Sequence, residues 1–570
     1  MKMANEQMTK VNVRKPLLWG AVLLVALALR LVALGAMPLS PAEARTALPS
    51  LDASRGDGWP TSTESPLLLT GNALLFLLLG PGDVTARLLP ALAGTALVAI
   101  PWLWRRRLGE LGALCAAGLL AFSPIALFGA RHLDATIIGT LGAALIITAL
   151  STAQPRPDLL LAVGLALGLT GGPSFYDVLL PGFAAWALTR YLLPEQRPLP
   201  QREHLIRGFL IGLGGALLIS VGFGLRWSGW AGPAQGLAAW VRSWWSPGAD
   251  GPLNLAHLLL YEPVTLLLAA IGLRLSTRTP RPFAVQMASW VVIGAVLLLL
   301  RPDTGPLSLL VVLVPLALLA GRTVAVLALK PAWQTYLHAA LALIFWVFAA
   351  LVITRQTTYL QTGLEFVLVL LVLFIQGLLA VGFGTMVGAD RAWHGLLIGT
   401  AVCLLIIQVG FAWRVNHVET TQSHEPLVSS LASRDLYNLQ EMIEMLRLAR
   451  SVSPENYDIV LVADNPGITA TLRWALRTWP ALRVTQTWPE TTPDLLITPE
   501  NVTPAVDAGA AFQGASFAVS RRTTLAVPAC DQLLPPVCPG AIQWYFYRAS
   551  PVPAQVSRVV LWVPPAADQP

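Results

Sequence analysis

The feature that most constrains this chain is a series of apolar runs that fills roughly its first 400 residues. An α-helix needs about 20 mostly apolar residues to cross the hydrocarbon core of a membrane, and many of the runs reach that length. Hydrophobic residues make up 55% of the 570 positions and charged residues only 12%. A soluble domain carries roughly a quarter charged residues. We therefore predict an α-helical polytopic membrane protein.

The apolar runs predict a membrane domain at residues 16–414 with about thirteen spans. Residues 1–15 precede it and are predicted to be a cytoplasmic N-terminus. The first outer loop is predicted at residues 38–82. The spans are predicted at residues 16–37, 83–104, 109–128, 134–153, 158–172, 173–193, 207–225, 258–274, 283–300, 307–329, 336–354, 364–388 and 395–414.

Basic residues set the predicted orientation of the chain in the cell membrane. Lys2, Lys10, Arg14 and Lys15 precede the first run, against one acid, and basic residues mark cytoplasmic segments. With thirteen crossings, Arg105–Arg107 and the later basic loops also fall inside, and residues 415–570 fall outside. This pattern accounts for much of the net charge of +7, so no nucleic-acid partner is needed. The first run is predicted to be an uncleaved signal anchor, with a cleaved signal peptide as the alternative.

The composition changes after residue 414, and strand patterns alternate with helix patterns, which favours a small α/β domain outside the cell. Pro and Gly punctuate the last 70 residues, where we expect loops and one strand. The predicted helices are Asp435–Ala449 and Thr469–Thr478, and the predicted strands are Tyr457–Ala463, Leu482–Thr485, Leu495–Thr498 and Gln543–Arg548.

The four cysteines divide into two kinds. Cys115 and Cys403 lie in apolar runs and are predicted to be small buried hydrophobic residues. Cys530 and Cys538 bracket a Pro-rich segment of the outer domain. An oxidising compartment favours a disulfide between them. No cysteine or histidine spacing resembles a structural zinc site.

Carboxylates and arginines at the outer ends of the spans are the candidate site residues. Arg30 lies inside the first span, where a charge is costly unless it is paired. Arg87 lies one turn beyond Asp83, and Arg131 precedes Asp134 by three positions, so each pair can share a helix face. Either these charges neutralise each other at helix ends, or the carboxylates act in acid–base catalysis or bind a metal ion while the arginines bind a phosphate. Further charged residues predicted at this surface are Glu43, Asp52, Asp57, Glu64, Asp250, Glu262, Arg301 and Asp303.

Several motifs in this region resemble a known family. They read Arg30-Leu-Val-Ala-Leu-Gly, then Pro38-Leu-Ser-Pro-Ala-Glu43-Ala, then Gly82-Asp83-Val-Thr-Ala-Arg87-Leu-Leu-Pro, and finally Ala-Arg131-His-Leu-Asp134. This order is similar to the start of the polytopic GT-C glycosyltransferases. The nearest likeness is to the prokaryotic, flippase-associated branch related to protein mannosyltransferases. The resemblance covers nearly the whole chain and is strongest over residues 25–150.

The resemblance implies an inverting membrane glycosyltransferase with a polyprenyl-phosphate sugar as donor. The acceptor would be a glycan, a lipid or a protein at the outer face of the membrane. Glu43 would be the base or would orient the acceptor, with Asp134 as the second carboxylate. A basic group or a divalent metal ion would offset the charge on the leaving phosphate. The implied substrate-binding residues are Arg30, Arg87, Arg131, Glu262 and Asp303.

The sequence also departs from the family pattern at three places. Ala42 stands where the family has an aspartate before the glutamate. Asp303-Thr-Gly-Pro306-Leu replaces Glu-Lys-x-Pro-Trp, and Gly172-Pro173-Ser174 replaces a Lys-Glu pair. A catalytically inactive relative that scaffolds cell-envelope glycan assembly is therefore one alternative. A flippase or transporter is another, although the sequence shows neither the internal symmetry nor the midplane charges common in transporters.

A cluster of tryptophans precedes the eighth predicted span. Tryptophan favours the membrane–water interface. The segment is predicted either to flank the entry of a lipid substrate or simply to anchor the protein. The cluster comprises Trp227, Trp230, Trp240, Trp244 and Trp245.

Overall fold

The structure, a computed structural model, has a large helical part and a smaller sheet domain. It describes residues 2–193, 200–245, 251–277, 282–301, 305–327, 332–359, 364–418, 425, 427–428, 430–462, 465–487, 489, 493–502, 512–522 and 555–564. The helices of the first part are α1 (Lys2–Leu31), α2 (Pro41–Arg55), α3 (Pro66–Leu79), α4 (Asp83–Leu103), α5 (Arg105–Leu108), α6 (Glu110–Ala121), α7 (Pro124–Arg131), α8 (Thr136–Ser151), α9 (Pro157–Thr170), α10 (Ser174–Leu192), α11 (Arg202–Ser220), α12 (Gly232–Arg242), α13 (Gly251–Tyr261), α14 (Pro263–Thr277), α15 (Pro282–Leu300), α16 (Leu310–Leu327), α17 (Trp333–Tyr359), α18 (Leu364–Val387) and α19 (Ala389–Trp413).

The helical part is that of a multi-pass membrane protein, as the apolar runs predict. Within the described residues, seven helices are long and apolar enough to cross a membrane, or eight if α6 and α7 form one bent span. Shorter apolar helices accompany them, including α8 and α9. Each of the predicted runs contains helix, but the count of thirteen spans and the orientation of the termini stay predictions.

Two local features differ from the sequence prediction. The predicted outer loop at residues 38–82 contains α2 and the apolar helix α3, whose 14 residues are too few for a straight span. The predicted span at residues 109–128 is broken between α6 and α7, which meet at an angle of 57°. Pro124 cannot donate a backbone hydrogen bond, and Ser123 instead caps α7 by accepting one from Ala126 N at 3.0 Å.

The core of the helical part is built around α8 and α16, which are buried along most of their length. Both helices are apolar on all sides, as expected of an element surrounded by other helices. Small residues bring α9 close to α8. A Cβ at Gly142 would lie 2.6 Å from Gly168 N, so neither position has room for a side chain.

The C-terminal part is a six-stranded mixed sheet with helices α20 (Asp435–Ala449) and α21 (Pro466–Ala475). The strand order is β1-β5-β6-β4-β2-β3, with β2 parallel to both β3 and β4 and the other pairs antiparallel. The α/β class is therefore as predicted. The strands are β1 (Ser430–Ala432), β2 (Ile459–Val462), β3 (Leu482–Thr485), β4 (Leu495–Pro499), β5 (Gln513–Arg522) and β6 (Gln555–Val563).

The prediction for the last 70 residues is wrong in part, because β5 and β6 are long strands at the centre of the sheet. They pair with each other across a long stretch of chain, so no short turn between them signals the hairpin. The predicted strand at Gln543–Arg548 and the predicted disulfide between Cys530 and Cys538 lie outside the described residues.

The sheet domain contacts the membrane domain through α21, which packs against α2. Trp474 Nε1 donates a hydrogen bond to Asp83 Oδ1 at 2.7 Å, and its ring lies 5.6 Å from that of Phe76. Arg477 Nε donates to Pro81 O at 3.1 Å. The docking therefore holds the sheet domain on the segment that the sequence predicts as the first outer loop.

Candidate active site

Helix α2 has strong sequence signals at both ends. Ser40 and Glu43 form a capping box at its start, where Ser40 N donates to Glu43 Oε2 at 2.9 Å and Glu43 N donates to Ser40 Oγ at 3.3 Å. Pro41 occupies the first turn. Gly56 ends the helix with a left-handed φ of 85°, a conformation that glycine adopts without strain. Glu43 is thus part of the structure that starts the helix.

The Glu43 carboxylate is buried and fully engaged. Arg87 Nε donates to Oε1 at 2.7 Å and Arg87 Nη2 to Oε2 at 2.8 Å. Leu133 N adds a hydrogen bond to Oε1 at 2.8 Å, and Ser40 N adds the bond to Oε2. Burial alone would raise the pKa of Glu43, but the charge and hydrogen bonds of Arg87 outweigh it and hold the pKa below the usual range. Because each oxygen already accepts two hydrogen bonds, this geometry favours a structural role for Glu43 over the predicted role as base.

Arg87 also has no donor left for a phosphate. Besides the two bonds to Glu43, Nη1 donates to Leu34 O at 3.0 Å and to Met37 O at 2.8 Å, and Nη2 donates to Pro38 O at 3.2 Å. These bonds use all five N–H groups of the guanidinium. Arg87 fixes the turn between α1 and α2, so its predicted role as a phosphate ligand is not the one that the geometry favours.

Arg131 caps the end of α1. Its Nη1 donates to the carbonyl oxygens of Leu29, Arg30 and Val32, and its Nη2 donates to Ala33 O at 3.1 Å. The last carbonyls of a helix have no partner within it, and a cation at that end is favourable. These hydrogen bonds give Arg131 a structural role at the end of α1. That role differs from the predicted role as a phosphate ligand.

Arg30 and Glu262 are both buried away from the cavity described below. Arg30 Nη1 donates to Ala26 O at 3.0 Å, within its own helix. Glu262 accepts hydrogen bonds from Ser123 Oγ, from Thr265 Oγ1 at 3.1 Å and from Gln408 Nε2 at 2.9 Å, which ties α7, α14 and α19 together. Glu262 therefore stabilises helix packing. Asp303 lies outside the described residues.

Next to Glu43 lies a cavity of about 620 Å³. Its walls come from α2, the 60–69 segment, the turn between α7 and α8, the start of α10, residues 305–308 and the linker at 427–430. Asp134 and Glu64 supply carboxylates to these walls and are partly or fully exposed. Asp134 Oδ1 accepts a hydrogen bond from Thr136 N at 2.6 Å, which orients the group.

Residues at or next to the three departures from the family pattern line this cavity, although Asp303 and Thr304 themselves lie outside the described residues. Ala42 is exposed on its α2 wall, Pro173 and Ser174 line it at the start of α10, and Gly305 and Pro306 line it opposite. Positions far apart in the sequence therefore contribute to one site.

An ion pair that the sequence did not suggest borders the same cavity. Arg301 Nη1 is hydrogen-bonded to Asp177 Oδ2, and Trp240 Nε1 donates to Asp177 Oδ1 at 2.7 Å. Asp177 and Arg301 are almost completely buried and both line the cavity. Sequence reasoning recorded Arg301 as a basic residue but missed Asp177, because an acid within an apolar helix gives no sign of its partner 124 residues away.

A metal ion does not fit the described residues. Within the described ranges, no three His, Cys, Asp or Glu side chains come together closely enough to hold one. Asp134 and Glu64 face the cavity, but Glu43 and Asp177 are already bound to arginine.

The tryptophan segment lies beside the cavity. Helix α12 is connected to its wall by the Trp240–Asp177 bond and by Thr63 N, which donates to Gln235 Oε1 at 3.0 Å. Trp227 and Trp230 are exposed and stacked, with ring centroids 6.3 Å apart. Both the interfacial and the lipid-entry interpretations remain consistent with this position.

No family model matches the sequence, and no curated protein matches it. Among solved structures, the chain is similar to ArnT from Cupriavidus metallidurans bound to undecaprenyl phosphate. That match has a TM-score of 0.54 and 15% identity, and covers 89% of this chain and 98% of the other. ArnT from the same organism in the apo state gives a TM-score of 0.50, 15% identity, and coverage of 85% and 93%. The fold of this chain is therefore like that of ArnT, a GT-C-like fold as the motifs implied.

Proposed function

We propose that this protein is a membrane glycosyltransferase that moves a sugar from a polyprenyl-phosphate donor to an acceptor at the outer face. The observation that carries the proposal is the polar cavity of a GT-C-like fold, which is lined by four carboxylates (Glu43, Glu64, Asp134 and Asp177) and two arginines (Arg45 and Arg301). The similarity to a structure that holds undecaprenyl phosphate supports the class of donor.

Asp134 is the carboxylate best placed to act as general base. It lines the cavity, is partly exposed, and is held by one backbone hydrogen bond through Oδ1. No other hydrogen bond to its carboxylate occurs among the described residues, so Oδ2 can accept a proton from an acceptor hydroxyl. Glu43 keeps a supporting role, since it binds Leu133 N, directly before Asp134.

Arg301 and Arg45 are the candidate ligands of the leaving phosphate. Arg301 is fixed by Asp177, and Arg45 is exposed on α2, and both line the cavity. A guanidinium suits phosphate because its N–H groups match the spacing of phosphate oxygens. Arg301 lies three positions before Thr304, which stands where the family has a lysine. Arg301 can therefore supply the positive charge that is lost where Thr304 replaces the lysine of the family.

The reaction is a single displacement. The acceptor oxygen forms a bond to the anomeric carbon while the bond from that carbon to the phosphate oxygen breaks. The acceptor proton moves to Asp134, and the electron pair leaves with the polyprenyl phosphate, whose growing negative charge Arg301 and Arg45 stabilise. Attack opposite to the leaving group inverts the anomeric centre.

A catalytically inactive scaffold is the second candidate. It is favoured by Ala42, whose methyl group faces the cavity at the position of the family aspartate. A transfer assay separates the two functions. Purified full-length protein is incubated with radiolabelled polyprenyl-phosphate sugars and a membrane extract as the acceptor source. Label on a protein, or on a lipid or glycan other than the donor, supports the transferase, whereas donor binding without transfer supports the scaffold.

A further inference from the structure

His132 lies at the turn between α7 and α8, and the chemistry proposed above gives it no part. It lines the cavity beside Glu43, two positions before Asp134. Hydrogen bonds hold the backbone that follows it. Leu133 N donates to Glu43 Oε1 at 2.8 Å, and Asp134 N donates to His132 O at 2.8 Å. The imidazole therefore stands on a turn whose position is fixed relative to Asp134.

The imidazole ring is itself held by Phe128. Its Nδ1 lies 3.0 Å from Phe128 O, and because a carbonyl oxygen only accepts, Nδ1 carries the hydrogen and donates it. The ring centroids of His132 and Phe128 lie 3.8 Å apart. The other nitrogen, Nε2, has no hydrogen-bond partner among the described residues and is not fully buried. Nε2 is therefore open to the cavity that His132 lines.

The ring of His132 is neutral near pH 7. Burial lowers the pKa of His132 from its ordinary value of about 6.5. The charge of Glu43 acts to raise this pKa, but the charges of Arg87 and Arg131 oppose it. With the hydrogen on Nδ1, the lone pair of Nε2 can only accept a hydrogen bond. His132 thus offers the cavity an uncharged hydrogen-bond acceptor, in contrast to the carboxylate of Asp134.

The proposed displacement brings the transferred sugar to this part of the cavity. Asp134 takes the proton from the hydroxyl that attacks the anomeric carbon, and Arg301 and Arg45 bind the leaving phosphate. All three line the same cavity as His132. The sugar carries the anomeric carbon, so it occupies the space that these side chains enclose. A sugar presents hydroxyl groups at several ring positions, and each one that leaves water needs a new hydrogen-bond partner.

We infer that His132 Nε2 accepts a hydrogen bond from a ring hydroxyl of the donor sugar, which makes His132 a determinant of sugar specificity. This assignment rests on the proposed function, because that function places the sugar in the cavity. A sugar with an O–H group within reach of Nε2 is favoured. A sugar without a donor at that position leaves Nε2 unpaired and binds more weakly.

The test measures lipid binding to the purified full-length protein by calorimetry in detergent, at about pH 8, where the ring is neutral. The probes are undecaprenyl phosphate and its glucose, galactose and mannose derivatives. The derivative that the wild type binds most tightly is compared with undecaprenyl phosphate in each variant. His132→Asn keeps a donor near the position of Nδ1, and His132→Phe keeps an aromatic ring beside Phe128. Both variants lack the Nε2 acceptor.

The matched control is His394→Asn. His394 Nδ1 lies 2.6 Å from Asp390 O, four positions earlier in the chain, as His132 Nδ1 does from Phe128 O. His394 is exposed and does not line the cavity. Thermal unfolding without added lipid shows which variants fold, and either His132 variant alone decides the test if the other does not fold.

We expect both His132 variants to bind the sugar derivative about three- to tenfold more weakly than the wild type, as for the loss of one hydrogen bond. Their affinity for undecaprenyl phosphate should be unchanged, and His394→Asn should match the wild type with both lipids. Unchanged affinity of the His132 variants for the derivative, or an equal loss for both lipids, would overturn the inference. Failure of the wild type to bind any derivative would also overturn it. The expected effect at His132 without sugar transfer by the wild type would reject the transferase and keep the sugar contact.

Discussion

The guanidinium of Arg87 binds both carboxylate oxygens of Glu43, at 2.7 Å and 2.8 Å, although 44 positions separate the two residues. The pair joins the start of α2 to α4 and at the same time holds the last carbonyls of the turn after α1. One wall of the cavity therefore depends on a buried ion pair, whereas the carboxylate of Asp134, which lines the same cavity, is partly exposed.

The first prediction concerns the stability of this pair. Glu43→Gln leaves Arg87 buried without its counter-charge, and breaking a buried pair costs about 3–5 kcal/mol. We expect a marked fall in the thermal unfolding temperature in detergent. Asp52→Asn is the control and should leave the temperature almost unchanged, because this acid of the same helix is partly exposed and lies 3.7 Å from Arg473. Equal unfolding temperatures for both variants would contradict the structural role of Glu43.

The second prediction concerns pH. The pKa of Glu43 is held below its ordinary value in the folded protein, whereas glutamate in the unfolded chain has a pKa of about 4.3. The stabilisation is thus complete above about pH 4.3 and declines as the pH falls toward the folded pKa. We expect the difference in unfolding temperature between wild type and Glu43→Gln to shrink below that pH. A difference that stays constant from pH 7 to pH 3 would contradict this linkage.

The third prediction concerns the phosphate ligand. Arg301→Gln alone would leave Asp177 buried and unpaired, so the informative variant is the double substitution Asp177→Asn with Arg301→Gln. This change keeps the site neutral but removes the guanidinium. We expect affinity for polyprenyl phosphate to fall about tenfold or more, as expected for a hydrogen bond to a charged group. Asp177→Asn alone is the matched control, and an affinity loss of the same size there would assign the effect to Asp177.

The fourth prediction concerns docking of the sheet domain. Trp474→Phe keeps an aromatic ring but removes the hydrogen bond to Asp83, at a cost of about 1.5–3 kcal/mol. We expect faster amide hydrogen exchange in α2 and α21, measured by mass spectrometry. Trp562→Phe removes a comparable bond, from Trp562 Nε1 to Thr498 Oγ1 at 2.9 Å within the sheet domain, and is the control. Unchanged exchange in α2 for Trp474→Phe would show that this bond does not hold the domain.

Local sequence signals predicted much of this fold. The apolar runs identified the membrane helices, and the boundaries of α20 and β3 agree with prediction because the apolar face of a helix and the β-branched residues of a strand are both local patterns. Strands β5 and β6 were missed since their pairing is distant in the sequence. The apolar helix α3 was taken as loop, because its 14 residues fall short of a span.

The candidate site was only partly accessible from the sequence. The motifs predicted that Glu43, Arg87 and Asp134 lie in one region of the protein, and in the structure the three residues are close to one another. The motifs could not show which charges neutralise one another, because this depends on distances across helices. Arg87 and Glu43 satisfy each other, whereas Asp177 and Arg301 form a pair that no local spacing reveals.

The most direct test of the account is sugar transfer by wild type, Asp134→Asn and Asp52→Asn from a radiolabelled polyprenyl-phosphate donor. Loss of a general base typically lowers the rate by about 10²–10⁴-fold. We predict a loss of that size for Asp134→Asn, with unchanged thermal stability and donor affinity, and near wild-type transfer by Asp52→Asn. Equal rates for Asp134→Asn and wild type would contradict the assignment of Asp134. Donor binding by the wild type with no transfer to any acceptor would contradict the transferase itself.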